Sequence, residues 1–586
     1  MIVPSDASDR GVGAITLVIV VAIAVFYIGN YDIFSNHYIV NDDVRQQLFW
    51  MERWQDPELF QNDFLANYSE AYVPVGVKAI YRLGSLWFNP LQFSKVLTAI
   101  LFVFTAVLWF VWGRLFGDNL TAFVVVLVYF LFTGFQTNMA GGLSRGFVFP
   151  LLIAYLYFIS QGDIFKGGLV VLVQSFFNPY VFLLCLVTQA VVVSLTIGPK
   201  IFPKTFEGLD NIFSVLSDSK SGISLRSNVC ESKKSQTAPE QVEGIGKLVT
   251  RHFILGIPVI VGVVFTAVNV LWYQSNMGHL ISYSEMLGKS EYTEFGRYQL
   301  YPVPSFLYEL IRPWEFNLSF PYWGPVAGWI MAVVTIGIFV YAGLNYQPVV
   351  KWKGLRGLFL IIPVSLFLYV VARLFLVKLF VPRRYLFYTL TIIYCIGFAL
   401  ALRIIVEKIQ LSRRKMVVVF LALLVFASVK GRHIEFFDYS HDKSLYEFLQ
   451  SIPKNVLIAG PPELMDNVMT FGKRRSFATY ELSHTWVEPY WSEVKKRTFD
   501  LFRAYYSSSP EEIKAFCKSR GIDYLIIREE DFNPQNLSKP NLYFEPFNGF
   551  IWYLMNSNST QNFAVLDRDI FPPVFDSHGI RVLRVR

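Results

Sequence analysis

Long uninterrupted apolar runs, separated by short charged links, dominate this sequence and leave few architectures open to it. They fall at 13–29, 93–113, 119–136, 146–160, 167–177, 179–197, 252–273, 324–343, 357–379, 385–402 and 416–430. Crossing the ~30 Å hydrocarbon core takes a helix of about 20 mostly apolar residues. Within lipid, only helices and closed barrels satisfy their own backbone hydrogen bonds. About eleven such runs predict a polytopic α-helical membrane protein. Composition agrees: 54% of residues are hydrophobic and 16% charged, where soluble proteins average about a quarter charged. The net charge of +8 sits largely in short basic loops, with some in the tail, and calls for no nucleic-acid partner. Asp6, Asp9 and Arg10 precede the first run in place of a basic cluster, and no small-residue cleavage site follows. This predicts a retained anchor, not a cleaved signal peptide.

The stretch 167–197 is apolar throughout but interrupted by Asn178-Pro179. Proline removes a backbone donor and disfavours helix just before it. The stretch is therefore either one kinked helix or two short helices meeting near Pro179. Charge bears on the choice. Lys351, Lys353 and Arg356 form one basic loop, and Arg403, Lys408, Arg413, Arg414 and Lys415 another. Both are expected on the cytoplasmic side. Counting back, loop 198–251 and the N-terminus are cytoplasmic too, and 167–197 must cross twice or dip in and return. Loops 30–92 and 274–322 and everything after 430 are then extracytoplasmic.

The chain thus divides into a membrane module, 1–430, and a C-terminal region, 431–586, of soluble composition. In the latter, helix-like segments (445–452, 491–506, 510–520) alternate with strand-like ones (455–459, 522–527), which predicts an extracytoplasmic α/β domain with a partly parallel sheet. Ser217 to Val242 has the composition of disorder. Aromatic stretches in loop 30–92 (Leu48 to Met51, Ala79 to Tyr81, Leu86 to Phe88) are expected along the membrane interface. The four cysteines show no metal-ligand spacing and imply no disulfide, and the seven histidines show no zinc spacing.

The residues suited to chemistry lie in the outer loops. Asp42 and Asp43 follow the first span, with Arg45 close behind. One carboxylate of such a pair can act as general base on an acceptor hydroxyl. Arg383 and Arg384 occupy a very short outer link, against the usual orientation bias, and guanidinium groups bind phosphate bidentately. Arg145 starts the fourth span after Gly141-Gly142, where helix N-terminal donors attract anions. Arg297 is a further phosphate-binding candidate, and Lys78 and Arg82 are supporting ones.

The acid motif after the first span, the many spans and the outer tail together resemble the GT-C superfamily of integral-membrane glycosyltransferases, which includes protein O-mannosyltransferases and aminoarabinose transferases. Asp42-Asp43-Val44-Arg45-Gln46 looks like that superfamily's first-loop motif, with Gln46 where a Tyr is usual. The run Arg45 to Tyr68 also resembles bacterial membrane proteins of unassigned function. The resemblance implies a polyprenyl-phosphate-linked sugar donor and transfer on the outer face of a bacterial inner membrane. The acceptor, whether glycan, lipid or protein, stays open. Many relatives carry a second acid between the third and fourth spans. Gln136 to Arg145 contains none, so a divalent metal cofactor stays open but lacks the support of a second acidic motif, and Arg145 is the alternative group to neutralise the leaving phosphate.

The resulting expectation is a GT-C-like glycosyltransferase with Asp42, oriented by Asp43, as base. Two rivals stand beside it: a transporter or flippase for a lipid or polar solute, to which Arg373 and Lys378 within the membrane also fit, and a non-catalytic envelope-assembly protein.

Overall fold

The computed structural model describes residues 5–201, 238–300, 304–318, 324–345, 352–375, 381–409, 412–533, 535, 542–557 and 562–586. Of loop 198–251, residues 202–237, Cys230 among them, lie outside the described residues, as do Lys351 and Lys378. The end of the stretch expected to be disordered, 238–242, is instead the start of helix Ala238–Met277. Each expected span overlaps helical residues, the third as two helices and 357–379 as far as Leu374, with 376–380 outside the described residues. Six described helices are long and apolar enough to cross a membrane: Gly11–Ser35, Pro90–Gly113, Pro179–Thr196, Gly256–Met277, Arg356–Leu374 and Arg383–Ile409. The chain is a multi-pass integral membrane protein.

The third expected span departs from a single helix. Asn119–Leu131 and Thr133–Gly142 meet at a 66° bend. Phe132 takes a non-helical conformation (φ −88°, ψ 99°), which interrupts the backbone ladder. Lys430 Nζ repairs the break by donating to the Leu131 carbonyl at 3.1 Å and the Asn317 carbonyl at 3.2 Å. A broken helix is tolerated at membrane depth when protein groups take up its freed carbonyls.

At 167–197 the two-helix alternative holds. Ile164–Ser175 ends, and Pro179 opens the next helix from its first position, where a missing N–H costs nothing. Asn178 Oδ1 caps that helix by accepting from the amides of Tyr180 (3.1 Å) and Val181 (3.3 Å).

The tail is built around a five-stranded mixed sheet. Ahead of it in the chain come β1 (Ile39–Val40), β2 (Gly278–Leu280) and β3 (Phe437–Asp438). Then follow β4 (Leu457–Ala459), β5 (Arg475–Ser476), β6 (Val487–Pro489), β7 (Tyr524–Arg528), β8 (Pro573–Ser577) and β9 (Ile580–Arg584). The sheet order is β5-β4-β7-β9-β8. β4 runs parallel to both neighbours, while β9 is antiparallel to β7 and β8. Helix Pro510–Arg520 starts where its Ser-Pro-Glu signal lies, with Ser509 Oγ accepting from the Glu512 amide at 3.3 Å.

Two small ribbons join the tail to the outer loops. β1 pairs with β3 and β2 with β6, both antiparallel. Tyr68 stacks on Tyr490 with centroids 3.4 Å apart, and the Tyr292 hydroxyl donates to the Thr485 carbonyl at 2.6 Å. Lys495 pairs with Glu291 (2.6 Å) and Lys473 with Glu52 (2.7 Å). Loops 30–92 and 274–322 therefore share one face of the bundle with the tail. This packing overrides one expectation. Leu48, Phe49, Trp50 and Met51 are buried inside protein and do not lie along the membrane surface. Tyr81 is likewise buried, its hydroxyl donating to the Gly141 carbonyl at 2.7 Å, whereas Leu86, Trp87 and Phe88 remain exposed.

Candidate active site

The acid pair is held by a turn that the sequence builds locally. Asn41 Oδ1 accepts from the Asp43 amide at 3.1 Å, which opens the helix Val44–Gln47, and Asn41 Nδ2 donates to the Glu435 carbonyl at 2.9 Å. One side chain thereby ties the first outer loop to the start of the tail.

The two carboxylates differ in environment. Asp42 is 40% exposed, and its Oδ1 accepts from Arg45 Nη2 and from the Tyr439 hydroxyl at 3.0 Å. Its Oδ2 makes no hydrogen bond among the described residues. Asp43 is occupied at both oxygens: Oδ1 accepts from Gln46 Nε2 at 2.8 Å, and Oδ2 pairs with Arg145 Nη2 at 2.5 Å. Arg145 reaches it because Gly141 and Gly142 turn with positive φ (+83° and +61°). A Cβ on Gly141 would lie 2.9 Å from Val44 Cγ2 and 3.0 Å from Asn41 Oδ1, so only glycine fits beneath the acid loop.

Arg384 belongs to the same neighbourhood. Its guanidinium lies over the Tyr180 ring, 4.9 Å from the centroid. Burial pushes the Tyr72 phenol up, and the charges that act on it are Arg384, Asp43 and Arg145. Arg383 is turned elsewhere. It is exposed, and the Glu309 carboxyl, raised by burial, feels Arg312, Arg383 and Arg373 together. Arg373 donates to the Tyr369 hydroxyl at 2.8 Å.

Behind the acid pair lies a buried network that joins loop and tail. Arg45 donates to Asn467 Oδ1 at 3.0 Å and lies 4.4 Å from the centroid of the Tyr439 ring. Arg297 is not on the acid-pair surface. Its Nη2 pairs with Glu481 Oε2 at 3.0 Å, with the guanidinium 4.1 Å from the Tyr480 ring centroid. Burial pushes the Glu481 carboxyl up against the pull of Arg297, with Asp42 adding to the rise. Asp466, fully buried, is raised by burial too, and accepts from the Glu481 amide at 3.1 Å. Lys78 donates to the Glu70 carbonyl at 3.1 Å, and Arg82 stacks over Trp54 at 5.3 Å; neither contacts the acid pair.

Sequence reasoning missed Glu435, Tyr439 and Glu481. Glu435 adopts a left-handed conformation (φ 59°) beside the acid loop. Burial raises its carboxyl; Arg145 opposes the rise, and Asp43 and Asp42 add to it. Almost four hundred residues separate Glu435 from Asp42, so no local pattern links them. Among the described residues, no group of three or more His, Cys, Asp and Glu is arranged to hold a metal ion. Asp42 and Asp43 each pair with an arginine, and Asp42 Oδ2 stays open among the described residues.

No protein-family model matches the chain, and no curated protein matches it. Among solved structures, the chain is similar to the oligosaccharyltransferase AglB of Archaeoglobus fulgidus in complex with an inhibitory peptide and a dolichol-phosphate. That likeness covers 91% of this chain and 71% of that one, at 8% identity and a TM-score of 0.45. The Archaeoglobus fulgidus oligosaccharyltransferase in complex with Zn and sulfate is similar over 90% and 69%, at 9% identity and a TM-score of 0.42. Likenesses at this level do not carry an activity to this chain.

Proposed function

We propose that this protein is a membrane glycosyltransferase of GT-C type that moves a sugar from a polyprenyl-phosphate donor to an acceptor on the extracytoplasmic face. The observation that carries the reading is the asymmetry of the acid pair. Asp42 keeps one oxygen without a partner on a part-exposed side chain, while its other oxygen is fixed by Arg45 and Tyr439. A positioned carboxylate with a free oxygen is what a general base needs. Asp43 is bonded at both oxygens and serves to hold Arg145.

In the proposed step, the acceptor hydroxyl attacks the anomeric carbon of the donor and passes its proton to Asp42 Oδ2. The bond from that carbon to the lipid-phosphate oxygen breaks, and the electron pair leaves with the phosphate. Arg384 and Arg145 supply positive charge where the phosphate charge develops. Arg297 has no part in this, because Glu481 already occupies it. The face bearing loops 30–92 and 274–322 and the tail is the extracytoplasmic one. Labelling Ser508→Cys and Lys415→Cys from the same side of the membrane would overturn that orientation.

The test is reconstitution in liposomes with polyprenyl-phosphate sugars. Asp42→Asn is expected to lower transfer by ~10²–10⁴-fold with expression unchanged. Wild-type transfer by Asp42→Asn would overturn the role of base. Donor movement across the bilayer without any transfer would favour the transporter reading instead.

A further inference from the structure

The tail contains a cavity of about 270 Å³ apart from the acid pair, lined by residues that include Glu463, Phe502, Tyr505, Arg528, Asp531 and Tyr543. Its place in the fold is specific. The chain leaves β4 through Gly460-Pro461-Pro462 into helix Pro462–Thr470 and returns as β5 on one side of β4. It then crosses through helices Tyr490–Tyr505 and Pro510–Arg520 to become β7 on the other side. β4 is therefore a topological switch point, and the crevice beyond the carboxyl ends of such strands is where open α/β sheets bind ligands. Gly460 follows β4, Arg528 ends β7, and both line the cavity.

The lining selects a ligand class. One cation, Arg528, faces three carboxylates: Asp531 at 2.7 Å, Glu530 at 3.4 Å and Glu463 at 3.8 Å. That balance disfavours phosphate and other anions. Phe502, Tyr505 and Tyr543 offer ring faces, while the carboxylates offer hydrogen-bond acceptors. The Tyr505 hydroxyl is already engaged with Asp531 at 3.0 Å. Tyr543 is only 7% exposed, yet its hydroxyl has no hydrogen-bond partner among the described residues. Buried hydroxyls are normally paired. An aromatic lining combined with convergent carboxylate, guanidinium and phenol groups matches a polyhydroxylated ring, and the volume, just below the ~300–1,000 Å³ range of ligand pockets, limits the ligand to one small unit.

We propose that the cavity at the carboxyl ends of β4 and β7 is a carbohydrate-binding site that takes one neutral sugar unit. It stands independently of transfer at Asp42, so its failure and that reading's failure are separable. The test uses the full-length protein in detergent, with glucose, mannose, galactose and N-acetylglucosamine as probes in saturation-transfer NMR. At least one sugar is expected to bind with a Kd of roughly 1–10 mM. Tyr543→Phe removes one oxygen that no described group bonds, so folding is retained while binding weakens by about fivefold or more. Asp531→Asn should weaken it further, and Asp42→Asn should leave it unchanged. The proposal is overturned if no probe binds at ~50 mM, or if binding is lost in Asp42→Asn and kept in Tyr543→Phe. Binding of methylammonium, with no sugar binding, would assign the cavity to amines and overturn it as well.

Discussion

Arg145 Nη2 lies 2.5 Å from Asp43 Oδ2, joining the mouth of the fourth span to the acid loop beyond the first. Both side chains are about a third exposed or less, so the pair is only partly screened by water. Its geometry assigns the neighbouring acids different work. Arg145→Ala is expected to lower transfer, with partial recovery in Arg145→Lys, which restores charge without the planar fork. Asp43→Asn should cost less than Asp42→Asn, since an amide still accepts one guanidinium hydrogen bond. Initial rates in liposomes check this, and equal losses for Asp42→Asn and Asp43→Asn would remove the distinction.

The two outer arginines should separate. Arg384 shares its surroundings with Asp43 and Tyr72, whereas Arg383 faces the Glu309 group. Arg384→Ala is expected to weaken donor use by roughly 10–100-fold, the scale of a charged hydrogen bond. Arg383→Ala should change it far less. Titration of the donor in the transfer assay reads the difference directly.

Arg297 should behave as a docking residue. Removing it strips buried Glu481 of its 3.0 Å ion pair and leaves only Gln46 at 3.4 Å and Arg45 at 4.0 Å among the described residues, a loss of up to about 3 kcal/mol. Arg297→Ala is therefore expected to expose the tail to limited proteolysis, and the double variant Arg297→Met, Glu481→Leu to recover much of the resistance. If Arg297→Ala instead altered donor use with an intact tail, the docking role would be wrong.

His484 makes the tail acid-sensitive. Gln46 Nε2 is fixed by the Asp43 and Glu481 carboxylates, so Gln46 Oε1 accepts from His484 Nε2–H at 3.1 Å. Nδ1 then accepts the Tyr68 hydroxyl hydrogen at 2.9 Å. Burial pushes the imidazole down to about 3, with Arg297 adding to the fall. The unfolded chain takes up a proton below pH ~6.5 that the folded one refuses. Stability from this group is thus full above ~6.5 and falls by about 1.4 kcal/mol per pH unit below it. Glu481 and Asp466, both raised, act in the opposite direction. The comparison must therefore be with His484→Gln, which should lose less Tm between pH 7 and 5 than wild type. Parallel losses would exclude His484 as the source.

The helices were legible in the sequence because lipid imposes a length and an apolarity that each span must meet alone. The bend at Phe132 was not, because the group that repairs it, Lys430, comes from the last span. Likewise Leu48 to Met51 looked interfacial, since nothing local announces that the folded protein will bury them. Part of the tail was readable for the same reason as the spans, since periodicity and caps such as Ser509-Pro510 are local signals, but helix Pro462–Thr470 and strands β5, β8 and β9 were not.

Sequence alone determined that the chain spans a membrane, that an acid pair follows the first span, and that Arg383 and Arg384 sit in a very short link between two apolar runs. Those are properties of contiguous residues. Tertiary structure decided which acid keeps a free oxygen, that Arg384 and not Arg383 approaches the pair, and that Arg297 is spent on Glu481. Each depends on a partner a hundred or more residues away. Charge acts through distance in space, and the order of residues along the chain does not state that distance.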